Sequence, residues 1–153
     1  MARLPDRFDL WVRQARECRD PARQVDYILG ALAALKEWYF LNAGTKEAPQ
    51  AAKAKVGSDE CLIVFTGPDR IGELIQASSV ITIPAAAAMA WCVESKMGLL
   101  VNPAEDVDAA LIPFDQVKAF HAEWSERGRR PASGFWIPNM TTEEEDFWQE
   151  HGL

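Results

Sequence analysis

The sequence predicts one domain of the α/β or α+β class, with a mixed sheet of about four or five strands and helices packed on it. Three observations carry this prediction. Short β-type runs recur just before a proline and an amphipathic stretch: Cys61–Thr66 before Gly67-Pro68-Asp69, Val80–Ile83 before Pro84, and Ala110–Ile112 before Pro113. Proline holds φ at about −65° and has no N–H to lose, so it suits the first turn of a helix. Second, Cys61-Leu62-Ile63-Val64-Phe65 is apolar on both faces, as a central strand is. Third, 153 residues with 48% hydrophobic content supply one real core.

Along the chain, Leu4, Phe8, Trp11, Val12, Ala15 and Cys18 share one helical face. Asp9–Arg13 and Arg13–Glu17 add i,i+4 pairs off that face. Asp20-Pro21 ends this helix and starts a second, whose stripe is Val25, Ile28, Leu29, Leu32 and Leu35. Trp38-Tyr39-Phe40-Leu41 is aromatic and β-prone, a first strand. Ala43 to Asp59 has no useful period and reads as a long loop, or as a frayed helical turn at Gln50–Lys55. After the strand ending at Thr66, the side chains of Thr66 and Asp69 are placed to cap a helix that buries Ile71, Leu74 and Ile75. Val80–Ile83 is a strand. Pro84–Lys96 is an Ala-rich helix stopped by Gly98. Gly98-Leu99-Leu100-Val101-Asn102-Pro103 is a strand ending in a turn, and Ala110–Ile112 a short strand. Phe114–Arg127 is a helix with Val117, Phe120, His121 and Trp124 on one stripe. A linker comes next at Gly128-Arg129-Arg130-Pro131, then an extended Phe135-Trp136-Ile137-Pro138. Thr142 and Glu145 have capping-box spacing for a last helix with Phe147 and Trp148. The chain thus divides into a helical hairpin (1–36), an α/β core (37–127) and a C-terminal extension (128–153).

The net charge of −7 disfavours a general nucleic-acid binder, which needs a basic face. The charge is uneven. Residues 1–23 hold six arginines against four acids, whereas residues 141–153 hold five acids and no lysine or arginine. Most of this charge reads as solvated helix faces. The asymmetry also suggests that the Arg-rich first helix docks near the acidic tail. Six tryptophans read mainly as core and edge fillers, with some free to anchor a partner. Cys18, Cys61 and Cys92 are an odd number with no CxxC spacing, which points to reduced, mostly buried thiols. The charged N-terminus lacks a signal-peptide pattern, and the longest apolar run is interrupted by Pro84, so a cytoplasmic protein is expected.

No nucleophile elbow, P-loop or dinucleotide fingerprint is present. His121-x-Glu123 pairs residue types suited to acid–base work, but the two positions face differently and His121 lies on an apolar stripe. His151 stands alone near the end, and no metal or cofactor set is formed. Thr66–Arg70 and Asn102–Asp106 gather polar groups at strand ends, where open α/β sheets bind ligands. The first reads more simply as a cap and the second as a turn held by Asn102.

The Val64-Phe65-Thr66 strand followed by Asp69-Arg70, and the Val101-Asn102-Pro103 turn, resemble the SseB N-terminal-domain-like family. This is the bacterial serine-sensitivity type, not the type III secretion chaperone. The similarity spans about Asp26 to Trp124. Ala104, Glu105 and Asp106 stand where the family commonly has a small residue after Asn-Pro. The resemblance implies a small bacterial cytosolic domain with a binding role, and it transfers no catalytic residue.

A non-catalytic protein-binding module of adaptor or toxin-immunity type is therefore expected, with a basic protein partner and no nucleic acid or membrane. Trp136, Phe147 and Trp148 are its candidate anchors, and Glu143, Glu144, Glu145 and Asp146 its steering charges. A homodimer is the other use for such a surface. The alternative is a small-molecule or ion sensor using Thr66, Asp69, Arg70, Asn102, Glu105 and Asp106. A hydrolase using Asp69, His121 or Glu123 comes last.

Overall fold

The computed structural model describes residues 7–67, 71, 80–103, 109–128 and 136–151, without the side chains of 7, 127, 128, 147, 148 and 151. In chain order the elements are α1 (Arg7–Arg16), α2 (Pro21–Ala34), β1 (Glu37–Leu41), β2 (Lys53–Val56), β3 (Asp59–Val64), β4 (Val80–Pro84), α3 (Ala85–Glu94), β5 (Gly98–Val101), β6 (Ala110–Ile112), α4 (Phe114–Glu123) and α5 (Thr142–His151). The class is α+β. One sheet is mixed, in the order β2-β3-β5-β6, with β3 and β5 parallel and the other pairs antiparallel. The other is the antiparallel pair β1-β4. Tyr39 and Phe65 exchange backbone hydrogen bonds of 3.0 and 2.8 Å, so β1 meets the end of β3 and links the two sheets.

Local sequence explains most boundaries. Asp20 caps α2, its carboxylate accepting the Ala22 N–H at 3.0 Å, and Pro21 opens the first turn. Pro84 and Pro113 stand at the N-caps of α3 and α4, one residue earlier than a first-turn proline. The third such unit, Pro68-Asp69, lies outside the described residues, as do Leu74 and Ile75. α1 and α2 bury Phe8, Trp11, Val12, Ile28, Leu29 and Leu32 against Trp38, Phe40, Met89 and Cys92. The Trp38 indole N–H, wholly buried, donates to Leu32 O at 2.8 Å, so the residue is a core filler with its polar atom satisfied.

Three expectations are corrected. Residues 43–59 are not simply a loop and hold no helical turn at Gln50–Lys55. Lys53–Val56 is a strand, with Lys53 and Lys55 exposed and Ala54 and Val56 half-buried. The tight Gly57-Ser58 connection, with Gly57 at φ 64°, turns it back into β3. Lysines on an edge strand hide the alternation that marks a buried one. Second, Gly98 does not stop α3. The helix ends at Ser95, and Lys96 takes the left-handed conformation at φ 57°. Gly98 instead opens β5, where an added Cβ would lie 2.6 Å from Ile112 O and 3.2 Å from Phe114 N. Close approach of β6, rather than a helix cap, requires this glycine. Third, α4 stops at Glu123 and the chain continues as a π-helical turn, Trp124–Gly128.

Gly98→Ala is expected to destabilise the fold by about 1–3 kcal/mol through overpacking against β6. Lys96→Gly is expected to stabilise it by roughly 0.5–1 kcal/mol by relieving the left-handed backbone. Urea midpoints of the two variants against the parent check both signs.

Candidate functional site

Arg23 and Tyr27 lie one turn apart on α2, so both leave the same helical face. The C-terminal segment crosses that face. The Arg23 guanidinium donates to Pro138 O, to Asn139 O at 3.4 Å and to Glu144 Oε1 at 2.5 Å, and pairs with Asp26 at 3.5 Å. It also sits 5.6 Å from the centre of the Tyr27 ring. The Tyr27 hydroxyl donates to the other Glu144 oxygen. Next to this cluster, Ile137 is wholly buried and Trp136 meets Phe120 edge-on at 5.6 Å. The arginine that meets the acidic end is Arg23 on α2, outside the first helix where the charge asymmetry placed it.

Glu144 also closes the capping box of α5. Its N–H donates to Thr141 Oγ1 at 3.1 Å, and its carboxylate accepts the Thr141 N–H at 2.9 Å. The box is therefore Thr141–Glu144, not Thr142–Glu145. Both pairs have the right spacing, and the ion pair with Arg23 selects the register. Burial alone would raise the Glu144 pKa, but hydrogen bonds from Tyr27, the Thr141 N–H and Arg23 outweigh it and hold the carboxyl below its ordinary value. Burial, then the bond to Glu144, pushes Tyr27 up to about 12. Burial raises Asp26, with Arg23 opposing.

A groove of about 430 Å³ opens between α1, α2 and α5, lined by Trp11, Gln14, Glu17, Cys18, Tyr27, Glu143 and Glu144. Trp11 forms its deep apolar part, being 4% exposed, while Glu17 and Glu143 stand exposed at the rim. A smaller groove of about 270 Å³ between α2 and α4 carries Asp26 and Glu123 over Phe120 and Pro138. A more open one runs along α5 past Glu143, Asp146, Gln149 and Glu150.

Of the expected anchors, Trp136 is half-buried in the fold, and the side chains of Phe147 and Trp148 lie outside the described residues. Of the expected steering charges, Glu144 is taken up internally, whereas Glu143, Glu145 and Asp146 are exposed. Of the alternative ligand set, Thr66 and Asn102 are brought together, while Asp69, Arg70, Glu105 and Asp106 lie outside the described residues. The Thr66 side chain bonds to Asn102, and the helix it was expected to cap lies outside the described residues. Its Oγ1 accepts from Asn102 Nδ2 at 3.1 Å, and its N–H donates to Asn102 Oδ1 at 3.1 Å. Asn102, at φ 48° and wholly buried, also donates its N–H to Val64 O at 2.9 Å. This asparagine joins the ends of the parallel strands β3 and β5 and presents no surface to a ligand.

His121 is half-buried beside Trp124, with Ser125 Oγ 3.3 Å from its Nε2. Glu123 is exposed. Asp69 and the His151 side chain lie outside the described residues. Cys18, Cys61 and Cys92 are free thiols, the last two buried. Among the described residues no three His, Cys, Asp or Glu side chains are placed to share a metal ion, and no helix is long and apolar enough to cross a membrane.

Fold and grooves together define an α+β domain whose two terminal segments build an acidic, aromatic cleft. Comparison with known protein families, with curated proteins and with solved structures finds no significant match.

Sequence reasoning does not single out Trp11, Glu17, Cys18, Arg23 or Tyr27 as site residues. Trp11 and Cys18 fall on a core stripe by their spacing, yet Cys18 is only half-buried. The available signal is coarse: opposite charge at the two ends of the chain, and Arg23 one turn before Tyr27.

Arg23→Ala is expected to cost about 1–3 kcal/mol, because it strands the partly buried Glu144 and two carbonyls. Trp136→Ala is expected to cost about 1–3 kcal/mol by the loss of apolar contact and of its pairing with Phe120. The Glu144 contribution is present above its ordinary value of 4.5 and is lost as pH falls through the lower folded value. The raised Asp26 value acts with the opposite sign. The Tyr27 contribution is complete below 10 and is lost as pH rises toward about 12. Melting temperatures of parent and Tyr27→Phe across the alkaline range check this, the variant giving the flatter decline.

Proposed function

We propose that this chain is a non-catalytic binding module for a basic protein, of adaptor or toxin-immunity type, acting in the bacterial cytoplasm. The observation that carries this reading is the fixing of α5 on α2 through Glu144, which leaves Glu143, Glu145 and Asp146 exposed on a held helix. Negative charge on a rigid support steers a positive partner and loses little entropy when that partner docks. The exposed acids support the expected steering role. The anchoring role moves from Trp136, which is engaged with Phe120, to the cleft beside α5.

Membership of the SseB-like family belongs to the same proposal. Its support is that the two motifs of the resemblance, Val64-Phe65-Thr66 and Val101-Asn102-Pro103, are hydrogen-bonded to each other through Thr66 and Asn102. That junction at the ends of β3 and β5 also favours, as a second reading, a ligand sensor using the polar residues just beyond it. Buried Asn102 would then act as a support for the site.

The test is affinity capture from bacterial lysate at physiological salt, with the parent chain and a Glu145→Lys/Asp146→Lys variant as baits. A stoichiometric, salt-sensitive protein that the variant fails to retain is the expected result. A clean bait, or a partner indifferent to the charge reversal, overturns the reading. The sensor reading then becomes the one to pursue, by metabolite screening.

A further inference from the structure

We infer that the groove between α1, α2 and α5 is an anchor site for an arginine side chain of a basic partner. This deepens the binding-module reading and rests on it. The groove volume of about 430 Å³ falls within the roughly 300–1,000 Å³ of ordinary ligand sites. It is lined by Trp11, almost wholly buried, and by half-buried Tyr27, with Glu17 and Glu143 exposed beside them. Among the described residues, neither of these carboxylates is in an ion pair, and no lysine, arginine or histidine lines the groove. Aromatic surface with uncompensated carboxylates above it fits a cation that has a flat face of its own.

The chain itself shows which cation. The Arg23 guanidinium already occupies the α2 side of this wall, over the Tyr27 ring at 5.6 Å and on Glu144 at 2.5 Å. Tyr27 and Glu144 thus hold one guanidinium from within, and the same two residues line the groove on its open side. A second guanidinium entering from solvent meets the half-buried Tyr27 ring as stacking surface and Glu17 and Glu143 as acceptors. A planar, weakly hydrated guanidinium exploits this arrangement better than a compact, strongly hydrated ammonium. The open groove along α5 begins at the same Glu143 and continues past Asp146 and Glu150, so positive residues flanking the arginine find acidic surface. Gln14 completes the wall as a neutral hydrogen-bonding group.

The test is a titration of the full isotope-labelled chain with acetyl-Gly-Arg-Gly-amide, followed by amide and indole NMR signals. The citrulline peptide, of equal shape but uncharged, is the control. The expected result is saturable, salt-sensitive movement of the Trp11 indole signal and of the Glu17 and Glu143 amides, at least fivefold weaker with citrulline. A Glu17→Gln/Glu143→Gln variant should weaken binding at least fivefold at an unchanged melting temperature, since both residues are exposed. Equal response to citrulline, or movement confined to the Asp26–Glu123 groove, overturns the assignment. So does undiminished binding by the double variant, or no response at about 10 mM peptide. Capture of a partner that depends on Glu145 and Asp146 while the peptide fails here would overturn the arginine site and leave the binding-module reading standing.

Discussion

The Arg23 guanidinium is the point on which the two ends of the molecule depend. It gathers Asp26, Glu144, two carbonyls of the 138–139 turn and the Tyr27 ring around one charge. An arginine can do this because its fork presents five donors in one plane and cannot be neutralised by burial. Without it Glu144 would keep the Tyr27 hydroxyl and the Thr141 N–H as donors but would lose its cation. With it, Ile137 and Trp136 are carried into apolar contact, and the cleft against α1 exists as a shaped surface.

A second constraint is the parallel pairing of β3 with β5. Parallel neighbours need a crossover, and residues 65–97 supply it with β4 and α3. The crossover takes β4 out to pair with β1, so the six short strands of the described residues end in two linked sheets. Asn102 secures the open end of that pair by tying its side chain to Thr66. Its burial makes it a structural residue at the place where ligands most often bind in parallel sheets.

The proposed binding role rests on charge held in position. The acids of the last helix are divided into two groups by one side chain: Glu144 turns inward and is satisfied, and its neighbours stay outward. A free acidic tail would supply the same net charge but would lose more entropy on binding. The cleft beside α5 adds the half-buried Tyr27 ring to that charge, and the proposed cationic partner would dock there.

The sequence by itself determined a class of α/β or α+β, the two N-terminal helices, the β1, β3, β4, β5 and β6 strands and the proline-led entries into α3 and α4. These come from local forces: apolar period, fixed φ at proline, and capping oxygens. Its charge asymmetry pointed to the acidic end as a contact but assigned that contact to the first helix, whereas Arg23 of α2 makes it. Tertiary structure decided the rest. The β2 strand exists because β3 pairs with it, since its alternating lysines lack the apolar signal of a buried strand. Gly98 serves close approach of β6, a neighbour at no fixed sequence distance. Between two equally spaced Thr/Glu pairs, only Arg23, more than a hundred residues away, chose Thr141 and Glu144. The cleft could not be read in advance because its walls come from three helices, and no local pattern records which faces will meet.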